Sequence, residues 1–137
     1  MQGAFARTCG SVGTCQSLAG VFFYKNAQGV EPVAEYVREL AAKSDKDSRI
    51  KLNKIRDYVK ALSIHGLQLG EPYIKHIDGE IWELRPLRDR IFFVTYQNNS
   101  FALLHCFLKR TQKTPKREIA KAKRELRDIK ERGICND

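Results

Sequence analysis

The spacing of apolar residues changes several times along the chain, and each change marks an element. Val21-Phe22-Phe23-Tyr24 is a short β-branched and aromatic run that predicts a first strand. Asn26 to Gly29 reads as a turn or loop. Pro32 follows at a first helical position, where its missing N–H costs nothing. Val33, Tyr36, Val37, Leu40 and Ala41 then recur at helical spacing. Ser44 to Ser48 interrupts the pattern, and Leu52, Ile55, Val59 and Leu62 define a second amphipathic helix that Gly66 ends. Two helices so closely linked predict an antiparallel hairpin.

After a loop from Gly66 to Pro72, alternation replaces helical spacing. Tyr73 to Ile77 and Glu80 to Arg85 read as strands joined by the hairpin turn signal Asp78-Gly79. In the second of these, Ile81, Glu83 and Arg85 share one face, and Trp82 and Leu84 the other. Pro86 to Asp89 is a turn, Arg90 to Gln97 a strand, Asn98-Asn99-Ser100 a turn, and Phe101 to Leu108 the last strand. Pro115 starts a final helix with the stripe Ile119, Ala122, Leu126 and Ile129. The order is β, αα, an antiparallel meander, then α. It predicts an α+β fold with helices packed on a small sheet.

Residues 1 to 20 have neither period. Gly, Ser, Thr, Ala and Cys dominate there, and Arg7 is the only charge. Such a segment buries too little apolar surface to offset its ordering entropy, so a disordered or loosely attached tail is expected. A natural start near Val21 is one expectation, which the N-terminal mass of the native product tests. Residues 21 to 137 are then a single domain, of a size that supports one modest core.

Charge narrows the partners. With 25 Lys and Arg against 16 Asp and Glu, the net charge is +9. That favours nucleic acid or an acidic protein partner. The four cysteines, Cys9, Cys15, Cys106 and Cys135, have no Cys-x-x-Cys spacing, and His65, His76 and His105 do not complete a metal set, so no metal site is expected. Cys106 reads as a core thiol, and a Cys9–Cys15 disulfide would staple only the tail. No apolar run reaches the length of a membrane span, and no signal peptide is evident, so a reduced, cytoplasmic protein is expected.

The candidate chemistry lies on the last three strands. If Ala102, Leu104, Cys106 and Leu108 pack on the helices, then Phe101, Leu103, His105, Phe107 and Lys109 share the other face. His105 and Lys109 would then join Glu83, Arg85 and Arg90 on a partly open surface. Cleavage of an RNA phosphodiester without metal needs a base for the 2′-hydroxyl, an acid for the leaving 5′-oxygen, and cations at phosphorus. Glu83 or His105 could be the base. Arg90, Arg85 and Lys109 could hold the phosphate, and a lysine among cations is suited to be the acid. A solvated salt bridge of Glu83 with an arginine explains the same spacing without function.

Lys109, Arg110, Lys113, Lys116, Arg117, Lys121, Lys123 and Arg124 form a basic run suited to tracking phosphates. The alternative is an exposed helix face on which Glu118, Glu125, Asp128 and Glu131 pair with them. Lys75 is a plausible phosphate contact on the strand paired with that of Glu83. Trp82, Tyr96 and Phe107 read as core in preference to base-stacking platforms. His65 reads as a helix-end interaction and His76 as an exposed structural residue.

From about Phe22 to Ala122 the chain resembles the RelE/HigB toxin superfamily, in its phage-derived HigB-like branch. The resemblance rests on Lys75, Asp78-Gly79, Trp82-Glu83-Leu84-Arg85, Arg90, His105-Cys106-Phe107-Leu108-Lys109-Arg110-Thr111-Gln112-Lys113-Thr114-Pro115, Glu118-Ile119 and Ala122. The long segment is similar to that branch's H-x-F-x-K-K-T-Q-K-T-P signature. The resemblance implies a RelE-like βαα-βββ-α fold and the toxin of a type II toxin–antitoxin pair. Such toxins enter the ribosomal A site and cleave mRNA there without metal or cofactor. It also implies contacts with ribosomal RNA and a cognate antitoxin, commonly a HigA-like helix-turn-helix protein.

By position, Arg90 is similar to the arginine that contacts the scissile phosphate. Lys109 or Arg110 matches the cation at the end of the last strand, and Arg85 the Leu-Arg pair. Glu83 stands where relatives carry lysine or glutamate. Arg110, Lys113, Lys116 and Arg117 join Lys75 as RNA-binding candidates. Two departures stand out. Arg88-Asp89-Arg90 replaces a Gly-Tyr-Arg turn and adds an acid, and no tyrosine or histidine follows His105. A non-enzymatic RNA- or protein-binding module, or an inactive family member retained for antitoxin binding, are the competing expectations.

Overall fold

The computed structural model describes residues 20–96, 100–110 and 112–133. Most of the N-terminal tail, Cys135, Gln97 at the end of a predicted strand, Asn98 and Asn99 of the turn after it, and Thr111 of the signature lie outside the described residues.

Strand β1 (Val21–Phe23) is followed by helices α1 (Pro32–Ala42) and α2 (Lys46–His65), with a single 3₁₀ turn over Gly66–Leu69. Strands β2 (Ile74–Asp78), β3 (Ile81–Leu84), β4 (Asp89–Tyr96) and β5 (Ser100–Leu108) form the meander, and helix α3 (Lys116–Arg132) closes the chain. The fold is α+β, with one five-stranded sheet in the order β1-β5-β4-β3-β2. All neighbours are antiparallel except β1, which runs parallel to β5. The arrangement suits a RelE-like fold, and the meander carries four strands, so β2 adds an edge to the βαα-βββ-α order.

Local chemistry sets the helix limits. Pro32 begins α1, whose Val33, Ala34, Val37 and Leu40 are buried. Asp45 caps α2 by accepting from the Ser48 amide at 2.9 Å, and Gly66 at φ 63° ends it. β1 joins the sheet through Phe101 N–H to Gly20 O at 3.0 Å and Tyr24 N–H to Leu103 O at 2.9 Å. Gly20 is required there. Its φ is 66°, and a Cβ would lie 2.5 Å from Ser100 Oγ.

Helices cover both faces of the sheet, where the alternation of β5 had suggested one. Leu40, Leu52, Ile55, Val59 and Leu62 of α1 and α2 pack with Leu84, Ile91, Phe93, Phe101 and Leu103. Ala122 and Ile129 of α3 pack with Ile81, Phe92, Val94, Ala102 and Leu104, with Ile119 and Leu126 at the margin. The expected face assignment of β5 fails at a bulge. Phe93 pairs with Leu103, but Phe92 pairs with His105, which leaves Leu104 as the extra residue. Leu104, His105 and Phe107 therefore serve the α3 face, while Phe101, Leu103 and Cys106 serve the other.

Candidate active site

The β3–β4 turn and the end of β5 meet at one end of the sheet. Asp89 pairs with Leu108 and Arg90 with Phe107, and the Lys109 amide donates to Arg88 O at 3.0 Å. This join gathers Arg85, Arg88, Arg90, Lys109, Arg110 and Gln112 around a shallow cleft of ≈ 570 Å³. Five of the six lining side chains are cations, so the cleft is built for an anion.

Glu83 lies beneath them. Its register partners are Lys75 on β2 and Phe92 on β4, which places it on the same sheet face as the cleft arginines. The side chain is fully buried. Glu83 Oε1 is 3.6 Å from Arg85 Nε and 3.8 Å from Arg90 Nε. Those gaps exceed the usual 2.7–2.9 Å of a charge-assisted hydrogen bond. Both Glu83 oxygens and both Nε atoms lack hydrogen-bond partners. The carboxylate is thus held by charge alone between two guanidinium groups, an arrangement unusual enough to require a reason.

Arg90 is anchored at its other edge, where Nη1 donates to Leu87 O at 2.7 Å and Asp89 O at 2.9 Å. Burial lowers its pKa and the Glu83 charge opposes that shift. Lys109 is also lowered, first by desolvation and then, against the pull of Glu83, by Arg90, Arg85 and Lys75. Asp89 does not intrude on the cleft. It is buried, and Tyr36 Oη donates to its Oδ1 at 2.9 Å from the α1 side. Burial and Asp89 together raise the Tyr36 pKa above its ordinary value.

His105 does not reach the open surface on which it was expected. It continues the row Lys75, Glu83, Phe92, His105 across the sheet, but Phe92 separates it from Glu83 and α3 covers it. Only 2% of it is exposed. Nδ1 lies 2.6 Å from Glu125 Oε1 and Nε2 lies 2.9 Å from Glu118 Oε1. Both ring nitrogens are committed to α3, so His105 joins helix to sheet and cannot meet a substrate hydroxyl in this conformation. The same geometry takes Glu125 out of the surface pairing expected of it, while Glu118 keeps a long pair with Arg117 at 3.9 Å.

Lys75 is exposed on the edge strand beside the cleft. Lys113, Lys116 and Arg117 are exposed on the approach to α3 and its first turn, outside the cleft lining. Further along α3 the basic run is partly neutralised. Lys123 pairs with Asp78 at 2.8 Å, Lys130 with Glu80 at 2.9 Å and Arg132 with Asp128 at 2.6 Å. Cys106 is a free thiol, and burial pushes its pKa up to about 12.

Sequence reasoning missed Arg88 and Gln112 as cleft residues, because each sits in a segment read only as turn or signature. It also missed the partners of His105. Their signal was present: Glu118, Ala122, Glu125 and Ile129 fall on one helix face, so two acids interrupt an apolar stripe. Among the described residues, no helix is long and apolar enough to cross a membrane, and no group of three or more His, Cys, Asp or Glu could hold a metal.

No curated protein is detectably similar to the chain. The profile of the phage-derived Gp49-like proteins (DUF891) matches residues 38–127, a span from within α1 to within α3 that includes every residue of the cleft. The chain belongs to this phage-derived Gp49-like family.

Proposed function

We propose that the protein is the toxin of a toxin–antitoxin pair of RelE/HigB type, and that it cleaves mRNA on the ribosome without metal. Membership of the Gp49-like family supports the toxin assignment. The observation that carries the chemistry is the five-cation cleft backed by a buried carboxylate.

In this reading the scissile phosphate sits among Arg85, Arg88, Arg90 and Lys109, whose charges stabilise the transition state. The 2′-hydroxyl loses its proton and its oxygen attacks phosphorus. The bond to the 5′-oxygen breaks, and that oxygen takes a proton from Lys109. Desolvation and neighbouring cations lower the Lys109 pKa, which suits a proton donor. With His105 enclosed, Glu83 is the remaining candidate base. Its place beneath the arginines favours holding their guanidinium groups, and leaves the 2′-hydroxyl proton to solvent. Arg110, Lys75, Lys113, Lys116 and Arg117 extend the anion-binding surface toward mRNA and ribosomal RNA. The partner antitoxin is a HigA-like helix-turn-helix protein, and the site of action is the cytoplasm.

Induced expression should arrest growth and translation, and Arg90→Ala should relieve the arrest. mRNA fragments should carry 2′,3′-cyclic or 3′-phosphate and 5′-hydroxyl ends. An Arg90→Ala protein as toxic as the parent, or fragments with 5′-phosphates, would overturn the assignment. One observation favours a second reading, a non-enzymatic RNA-binding module: no carboxylate or imidazole lines the cleft among the described residues. Salt-dependent RNA binding with intact mRNA in a translating extract would select it.

A further inference from the structure

Half of the large hydrophobic residues described as exposed lie at the cleft end of the sheet. Tyr73 immediately precedes β2 and is 40% exposed, Leu87 in the β3–β4 turn is 46% exposed, and Leu108 at the end of β5 is 38% exposed. Each is a near neighbour of a cleft cation. The Arg85 amide donates to Tyr73 O at 2.9 Å, Leu87 precedes Arg88, and Leu108 precedes Lys109. Leu87 also holds a backbone φ of 58°, which is unfavourable for a non-glycine residue, while its carbonyl anchors Arg90. Solubility alone gives no reason to leave leucine and tyrosine exposed around a cationic cleft.

Tyr73 is the best formed of the three. Its amide donates to Gly70 O at 3.0 Å and its carbonyl accepts from Arg85, so the backbone is fixed on both sides. The ring rests on Tyr58 of α2, with centroids 5.2 Å apart and planes inclined at 59°. The residue that donates to the Tyr73 carbonyl, Arg85, itself lines the cleft, so the aromatic pair is joined to the cleft through the backbone. A ring already held in place loses little entropy on contact.

We infer that this rim is a nucleobase-binding subsite, in which Tyr73 stacks one base of a single strand whose phosphate lies in the cleft, and Leu87 borders the same base. Cations that follow a backbone beside an aromatic platform are the recurring chemistry of single-stranded nucleic acid binding. A duplex keeps its base faces stacked and cannot offer one to Tyr73. The inference rests on the proposed function for the cleft, and it adds the demand that the substrate be unpaired at this position.

The test compares binding of the full chain to two single-stranded DNA oligonucleotides of equal length, one of mixed sequence and one wholly abasic. DNA lacks the 2′-hydroxyl and stays intact. The parent protein should prefer the mixed sequence by roughly tenfold, the scale of one base–aromatic stack. Tyr73→Ala should lose that preference, Tyr73→Phe should keep it, and Arg90→Ala should weaken both oligonucleotides alike. Equal binding of both by the parent, or an unchanged preference in Tyr73→Ala, overturns the subsite; if Arg90→Ala still weakens both, the cleft reading survives and the rim is left to a protein partner. Parent binding unaffected by Arg90→Ala would overturn the cleft reading instead. No binding of either oligonucleotide by the parent would overturn both.

Discussion

At the scale of single residues, Glu83 and Lys109 define the site's electrostatics. A buried carboxylate near two guanidinium groups, with no hydrogen bond to either, is poorly placed for stability alone. The role proposed for it is to orient two Nε edges. Glu83→Gln therefore separates two ideas by the sign of its effect. Simple charge counting predicts tighter binding of an anionic oligonucleotide, because a negative charge is removed. Orientation by Glu83 predicts binding weaker by about tenfold or more, on the scale of one lost charge-assisted contact. Lys109 gives a pH signature. A proton donor must be protonated, so cleavage should fall as pH rises through the Lys109 pKa. Desolvation places that pKa below the ordinary lysine value, so the decline should begin earlier than lysine usually titrates. Lys109→Arg should abolish this limb of the pH–rate profile, since arginine stays charged. Glu83, Arg85, Arg90 and Lys109 were legible because each falls on a predicted strand or at its end. The burial of Glu83 was not, since period two gives a face and not the depth beneath neighbouring side chains.

At the scale of elements, the decisive contact is α3 on the sheet. His105 projects from β5 between Glu118 and Glu125, seven residues apart on α3. The spacing from His105 to Glu118 spans the whole basic signature, so this contact closes the loop that carries Lys109, Arg110 and Gln112. The hydrogen bonds thus position cationic residues that make no contact with His105. His105→Ala would leave Glu125 buried without its partner. It should destabilise the fold by about 3 kcal/mol in urea denaturation, the cost of breaking a buried pair. A loss under about 0.5 kcal/mol, typical of a surface substitution, would refute that role. The strands themselves were readable from alternation, and α1 and α2 from the spacing of Val33, Val37 and Leu40 and of Leu52, Ile55, Val59 and Leu62. The single error of face came from Leu104. One unpaired residue turns His105 to the α3 side, and nothing in Leu-Leu-His announces it.

For the whole molecule, the net charge of +9 includes two unlike regions. Along the middle and end of α3, Lys123, Lys130 and Arg132 meet Asp78, Glu80 and Asp128. At the far end of the hairpin strands, five cations share one cleft over the buried Glu83. A uniform basic surface would attract any polyanion. This asymmetry gives one place where an anion meets several guanidinium groups together, beside exposed Tyr73 and Leu87. The sequence by itself determined the α+β order, the helix limits set by Pro32 and Gly66, and the candidates Glu83, Arg85, Arg90 and Lys109. Those features depend on periodicity, capping and residue type, which are local. Only the tertiary structure decided that His105 is enclosed, that Asp89 turns to Tyr36, that Arg88 and Gln112 line the cleft, and that Tyr73 stands at its rim. Each of those outcomes depends on strand register, one bulge and packing between elements distant in the chain, where a shift of one residue reverses which face a side chain serves.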